Sequence, residues 1–338
     1  MMHVSTVSPA LRGSLRDRIL RALRRYWPLY LMAIPGMLYF IIYKIVPIFG
    51  AVIAFKNFTI KKGIWGSPWA QPWYQHYKYF FRSPSNVRII TNTINTTGGM
   101  VCDGAKSSCA SKIATAVGMA LLAMGLLPPL IFALAISECR NKYVARAIQT
   151  VSYLPHFLSW AVVYGICLTM LSESTGVING LIKSFGGKTI PFLTSNKYFR
   201  GVLIGSDLWK NLGWGAITYI AAIMGVDTTL YEAATVDGCG RLRQIIHVTL
   251  PGIRKIFVVL MIMNVGKILN VSFTQVNVMM NDSVRQSGEI IDTWIYTEGL
   301  GKLNYSLSTA VGLLKSVISF MLVFATNRLA RKWECAIW

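Results

Sequence analysis

Residues 232–251 read Glu-Ala-Ala-Thr-Val-Asp-Gly-Cys-Gly-Arg-Leu-Arg-Gln-Ile-Ile-His-Val-Thr-Leu-Pro and lie between two long apolar segments. A polar, charged stretch of this length cannot stay in hydrocarbon, where its charges and free backbone groups would lose water without replacement. It therefore reads as a loop outside the lipid, joining two membrane spans. The rest of the chain agrees. It has 338 residues, 54% hydrophobic and 14% charged, where a soluble domain carries about a quarter charged. Apolar runs near the roughly 20 residues of a helical span fall at about 29–55, 113–137, 153–171, 200–225, 254–280 and 307–329. The expected fold is all-α and integral to the membrane: six transmembrane helices in one domain, 28–338, after a basic segment, 1–27. The loop of interest runs over 226–253.

The net charge of +21 does not point to nucleic acid. The charges sit in short loops and at span ends rather than on a soluble basic face, and their reading is attraction to anionic lipid and orientation in the bilayer. Arg12, Arg16, Arg18, Arg21, Arg24 and Arg25 precede the first span. The positive-inside rule puts that end in the cytoplasm, and with six spans both termini and the 226–253 loop lie inside. The apolar run after the arginines is too long for a cleavable signal. The six cysteines, Cys102, Cys109, Cys139, Cys167, Cys239 and Cys335, make no tight metal or redox pair and read as free thiols.

Tyr26, Trp27 and Tyr30 form an interfacial anchor for the first span, and Pro35 and Pro47 are expected to kink it. The outer loop 56–90 is dense in aromatics, among them Trp65, Trp69, Trp73 and Tyr79. It reads either as a docking surface or as a helix lying in the interface. Residues 96–112 are polar and glycine-rich where a span is expected, and no claim rests on them. Pro155 opens the third span at a position where proline is tolerated, and His156 beside it reads as a packing residue.

Two polar stripes fall inside spans, where such residues are costly and face a cavity or another helix. Asp207, Asn211, Trp214 and Thr218, with Lys210 beside them, share one face of the fourth span. Asn264, Lys267, Asn270, Thr274, Asn277 and Asn281 have helical spacing in the fifth. Amides, hydroxyls and an aromatic ring on one wall suit a sugar, whose hydroxyls need polar partners and whose C–H face suits a ring. The other reading is hydrogen bonding between helices. Lys44, Lys210, Lys267 and Lys315 are embedded cations, with Asp207 a partner for Lys210. A cationic surplus favours an anionic solute such as a uronate oligomer, although lysines also snorkel or meet a neighbouring subunit.

No energy source is visible. Gly186-Gly-Lys-Thr189 lacks the earlier glycine of a phosphate loop, since Ile182 stands there. It reads as a turn. The 226–253 loop reads as a knob: Asp227 or Thr228 caps a short helix through Glu232-Ala233-Ala234, Gly238 turns the chain, and a second helix from about Arg241 stops at Pro251.

Glu-Ala-Ala, three residues, Gly, nine residues and Val-x-Leu-Pro resemble the coupling loop of ABC importer permeases, with Val248 for the usual isoleucine. Tyr153-Leu-Pro-His-Phe, Trp209-Lys-Asn-Leu-Gly-Trp214 and Ala310-Val-Gly-Leu-Leu-Lys-Ser316 resemble the permeases of this family for polysaccharide fragments. The resemblance covers most of 28–338, except 96–112. It implies a type I ABC importer permease fold in a bacterial inner membrane. It also implies a second permease subunit, most simply a different homologous chain, two ATPase subunits that bind ATP and Mg, an extracytoplasmic solute-binding protein and an oligosaccharide, here acidic and alginate-like. Glu232, Ala233, Ala234, Gly238, Leu250 and Pro251 become the ATPase-coupling residues. No catalytic residue, metal or cofactor is expected in this chain, so it is not itself an enzyme. The rivals are an ion-gradient-driven transporter, which would need more embedded acids, and a membrane enzyme, for which four scattered histidines supply no site.

Overall fold

The computed structural model describes residues 15–98 and 125–331. Apart from an isolated bridge between Lys56 and Trp69, the regular elements among these residues are all helical. Helix α1, Leu15–Phe40, continues through a π turn, Ile41–Ile45, into a 3-10 stretch, Val46–Phe55. Proline explains the switch. Pro47 has no N–H to give to the preceding turn, and the N–H of Val46 reaches one residue further back, to the Ile41 carbonyl. Pro35 is carried inside α1. Arg24–Phe55, 32 residues, is long and apolar enough to cross a membrane; its most apolar window has mean hydropathy 2.1 and is only 6% buried within the chain.

Helices α2, Gln75–Arg82, and α3, Asn86–Gly98, follow in the first loop region. Then come α4, Leu127–Ser137, and α5, Lys142–Tyr153, whose first turn is capped by the Asn141 side chain. A 3-10 turn, Leu154–Phe157, leads to α6, Trp160–Leu171, at a 106° bend. After α7, Val177–Ser184, the 29-residue α8, Asn196–Met224, runs the depth of the molecule, about 44 Å at 1.5 Å per residue. It seats closely on α5 because Gly213 has no side chain; a Cβ there would lie 2.3 Å from the Ser152 carbonyl oxygen.

Helix α9, Thr228–Val236, precedes a segment made of Arg241–Gln244, a π turn Ile245–Thr249 and Leu250–Gly252. This segment meets α10, Arg254–Gly266, at a 63° bend. Short α11, Phe273–Met279, and α12, Ile291–Tyr296, lead to α13, Tyr305–Arg331, the last long apolar helix.

One expectation about the spans changes, that of a continuous fifth helix. Among the described residues, two helices are long and apolar enough to cross a membrane alone, and the two bent pairs raise that number to four. The charges on α8, Lys197, Arg200, Asp207 and Lys210, lower its apolar character, although its length suffices. The fifth run, 254–280, is no continuous helix. It stops at Gly266, turns, and restarts at Phe273 with Ser272 as its cap. Part of the second run and the irregular stretch from residue 99, with Cys102, Cys109 and Cys335, lie outside the described residues. Cys139, Cys167 and Cys239 are free thiols, and no metal-holding cluster exists among the described residues.

Two apolar clusters stack along α8. Leu126, Ala133, Ala216 and Tyr219 pack near the 226–253 loop, while Val163, Phe199, Leu203 and Val276 pack near the other end. A further cluster joins Phe80, Ile89, Trp294 and Leu307. Val258 and Ile262 of α10 meet Ala330, which brings the C-terminal end of α13 beside the loop and puts Tyr305 at the far end.

Candidate functional site

The loop is a closed knob. The Asp227 carboxylate accepts from the Thr229 N–H at 3.0 Å and starts α9. That bond holds its carboxyl below the ordinary carboxylate range. At the other end Gly238 has φ +74, a left-handed conformation that costs other residues about 1–2 kcal/mol. There the Gly238 N–H bonds the Thr235 carbonyl at 3.1 Å and the Cys239 N–H bonds the Ala234 carbonyl at 2.9 Å, a Schellman closure. The glycine predicted for the turn is thus the helix terminator.

Side chains then tie the two halves together. The Tyr231 and Thr249 hydroxyls lie 2.9 Å apart, and Gln244 Nε2 donates to Thr235 Oγ1 at 2.9 Å and to the Cys239 carbonyl at 3.3 Å. These residues carried no signal in the sequence beyond being polar. Glu232 and Ala233 are exposed and Ala234 is half-buried. Around them Val236 and Leu242 are 88% and 76% exposed, an apolar tip on a polar loop. The expected stop at Pro251 is not found. The N–H of Leu250 reaches Ile245 across a π turn, so Leu250 and Pro251 continue the segment to Gly252 before the bend at buried Ile253.

On α8 the stripe holds together and gains a residue. Asn211 Nδ2 donates to Asp207 Oδ1 at 2.8 Å, while its Oδ1 accepts from His156 Nδ1 at 3.0 Å. His156 lies flat on Trp214, with centroids 4.4 Å apart and planes 3° from parallel. Phe157 meets the indole edge-on at 6.1 Å. Trp214 is 49% exposed, and Thr218, one turn on, is exposed as well. His156, read as a packing residue, packs here by a hydrogen bond to Asn211 and a stack on Trp214.

Lys210 has another task. It is 7% exposed, and its ammonium donates to the carbonyls of His156 and Leu158 at 2.6 Å and of Pro155 at 3.2 Å. It satisfies the carbonyls freed where α5 breaks from α6, rather than pairing directly with Asp207. Lys315 is also occupied, 2.6 Å from Asp292 Oδ1. The six-residue stripe of the fifth run is divided by the break. Asn264 lies on α10, Lys267 caps it, Asn270 is in the turn, Thr274 and Asn277 are on α11, and Asn281 caps the next turn. Lys267, Asn270, Thr274 and Asn277 are nonetheless all exposed. The Gly186–Thr189 stretch follows the C-terminus of α7, where Gly187 N–H bonds the Ile182 carbonyl at 2.8 Å. That end carries partial negative charge, the wrong polarity for a phosphate cradle.

Residues 113–334 match the family described as binding-protein-dependent transport system inner membrane component. The chain belongs to this family. The permease is 39% identical over 331 residues to protein LplB of Bacillus subtilis (strain 168), across 97% of this chain and 96% of that protein. It is 38% identical over 319 residues to the polygalacturonan/rhamnogalacturonan transport system permease protein YteP of the same organism, across 94% and 92%. It is also similar to a chain of the crystal structure of a bacterial ABC transporter involved in import of the acidic polysaccharide alginate. There the TM-score is 0.80 and the identity 33%, covering 93% of this permease and 99% of that chain. A second structure, that of a bacterial alginate ABC transporter with its alginate pentasaccharide-bound periplasmic protein, gives 0.80 and 32% across 94% and 99%. The fold is that of type I ABC importer permeases, and the permease is an integral inner-membrane transport component rather than an enzyme.

Proposed function

We propose that the permease forms half of the translocation pathway of an ATP-driven importer of acidic oligosaccharides, alginate-like or polygalacturonan-like. The observation that carries this reading is the closed knob at 226–253, which offers exposed Glu232 and an apolar tip directly before a bent span. In this reading the knob sits in a groove of one of two ATPase subunits, which hold ATP and Mg. Both chain termini face the cytoplasm. A second permease subunit completes the pathway, and an extracytoplasmic solute-binding protein delivers the sugar. ATPase closure pulls the knob, the 63° bend at Ile253 passes the movement to α10, and the spans rock between inward- and outward-facing states.

The wall of Asp207, Asn211, His156, Trp214 and Thr218 takes the sugar: amides and hydroxyl for its oxygens, the indole for its C–H face. Lys210 positions His156 by holding the carbonyls around it. The relatives that transport acidic polysaccharides support an anionic solute. So does the polar cluster at the end of α8 away from the knob, where Arg88 and Arg285 flank buried Glu289 at 2.6 and 3.2 Å and Arg200 joins through Asn92. Two arginines there share one carboxylate, and the third, Arg200, bonds the Asn92 amide oxygen and the Ser287 carbonyl instead.

The test is ATP hydrolysis by the assembled complex in lipid, with solute-binding protein and oligosaccharide, for wild type, Glu232→Ala and Gly238→Asp. We expect saccharide-stimulated hydrolysis in the wild type and its loss in both variants, with assembly retained. Full stimulation in both variants would sink the coupling role and favour a transporter driven by an ion gradient.

A further inference from the structure

At the end of the molecule farthest from the knob, a second polar and aromatic cavity opens between the 56–79 segment and the start of α13. It has a volume of about 390 Å³, and its walls include Asn57, Phe58, Gln75, Tyr79, Asn304 and Tyr305. Helix α13 separates it from the knob side, since Tyr305 begins the helix and Ala330 packs on α10 beside the loop. Twenty-seven helical residues put about 40 Å between the two. This cavity is remote from the coupling machinery.

Its walls are built rigidly. Lys56, 5% exposed, donates to the carbonyls of Ile64 at 2.8 Å and Trp65 at 3.4 Å, and lies 4.9 Å from the Trp69 ring centroid. Asn57 N–H bonds the Pro68 carbonyl and Ala70 N–H the Phe55 carbonyl, both at 2.9 Å. Phe58 N–H donates to Ser306 Oγ at 2.8 Å, and its ring meets Tyr305 edge-on at 5.8 Å. The loop and α13 are therefore locked to each other at the floor of the cavity.

The rim is strained. Leu303 has φ +58, a left-handed conformation rare for a bulky residue, and such outliers gather at ligand sites. The strain is held by the Asn304 N–H, which bonds the Glu298 carbonyl at 3.0 Å, and by the Lys302–Glu298 ion pair at 2.6 Å. It turns Asn304 and Tyr305 toward the cavity.

The side-chain chemistry is that of a carbohydrate site. The amides of Asn57, Gln75 and Asn304 have no side-chain partner within the described protein. His76 donates from Nε2 to the Lys56 carbonyl at 3.2 Å, which leaves Nδ1 as an acceptor. Burial lowers its pKa. Tyr79 is 63% exposed and offers a ring face and a hydroxyl. Among the described residues no lysine or arginine lines the cavity, and Lys302 lies within electrostatic reach of Tyr79. A concave space at the small end of ligand pockets, with free amides, an imidazole acceptor and an exposed ring, fits the hydroxyls and the C–H face of one sugar ring.

We propose that this cavity is a saccharide subsite on the outer face of the permease, taking one sugar ring of an incoming oligosaccharide apart from the His156–Trp214 wall. The inference rests on the saccharide-import reading above. The subsite receives the leading ring as the chain leaves its binding protein. Tyr79 stacks on it, and Asn57, Gln75 and Asn304 bond its hydroxyls.

The experiment is equilibrium binding of alginate and polygalacturonate trisaccharides to the assembled transporter in lipid nanodiscs, without solute-binding protein. Wild type is compared with Tyr79→Ala, Tyr79→Phe, Asn304→Ala and Trp214→Ala. Two classes of site are expected. Tyr79→Ala and Asn304→Ala should each weaken one class about three- to tenfold, the range of one lost aromatic or polar contact. Tyr79→Phe should keep it, and Trp214→Ala should spare it. Co-purification of the ATPase subunits checks assembly; if Tyr79→Ala does not assemble, Asn304→Ala, at an exposed rim residue, decides. Unchanged binding in Tyr79→Ala or, failing assembly, in Asn304→Ala overturns the subsite and leaves the import reading standing. A wild type that neither binds nor responds to any saccharide overturns both.

Discussion

At the scale of single residues, the knob depends on its two helix ends. Gly238 was legible in the sequence because a left-handed terminator is nearly always glycine. Its Cβ would meet nothing within 4 Å, so a substitution there acts through the backbone and through the surface it presents. Asp227 was legible as a cap, and the structure adds a pH dependence. Its carboxyl titrates below the ordinary range because the Thr229 N–H bonds the ionised form. The cap's contribution is thus fully present above the ordinary carboxylate pKa and is lost as pH falls through the lowered one. We expect amide exchange at Thr229 and Leu230, corrected for intrinsic rates, to gain an acid-side loss of protection that Asp227→Asn lacks. The same acid-side loss in Asp227→Asn would show that another group controls this end. Lys210 illustrates what sequence could not give. Its nearest acid in the chain is Asp207, three residues away, yet its ammonium is taken by three carbonyls some fifty residues distant. Only the break between α5 and α6 creates that need.

At the scale of elements, hydropathy located the long apolar runs but not their breaks. The spacing of Asn264, Lys267, Asn270, Thr274, Asn277 and Asn281 suits a helix, so periodicity alone argued for a continuous one. The contrary signals were local: Gly266 at the end of α10 and Ser272, whose hydroxyl accepts from the Gln275 N–H at 3.3 Å and starts α11. Helix caps outweighed periodicity because the buried side chains changed partners. Gln275 turns inward to the Leu203 carbonyl at 2.6 Å. Pairing of embedded charges was likewise invisible. Lys315 was counted as surplus, but α12 brings Asp292 within 2.6 and 2.7 Å of its ammonium. Removing one member of such a low-exposure pair strands the other, at about 3 kcal/mol, while removing both costs much less. Lys315→Gln and Asp292→Asn should therefore each lower the melting temperature of the assembled complex, and the double variant should recover most of the loss. Additive losses would mean that the two charges do not act as a pair.

At the scale of the whole molecule, the proposed second permease subunit would have apolar surface to cover. The first span is almost bare, with 6% of its most apolar window buried. Lys267, Asn270, Thr274 and Asn277 of the broken fifth span are exposed among the described residues. The sequence pointed to these polar residues, and the resemblance pointed to a second permease. Neither could say whether the residues meet water or the partner. The break at 267–272 is compatible with both, because unwound backbone at membrane depth survives where it lines a water-filled cavity or is buried in protein. This can be tested by placing single cysteines at Thr274, Asn277 and, as a buried control, Val276, which is 0% exposed, in a cysteine-free background. A membrane-impermeant maleimide is then added to the assembled transporter with and without ATP. Alternating access predicts that Thr274→Cys and Asn277→Cys label in one nucleotide state and are protected in the other, while Val276→Cys stays unlabelled in both. Protection at 274 and 277 in both states would make this face a seal against the second subunit. The solute path would then rest on the Asn211–His156–Trp214 wall alone.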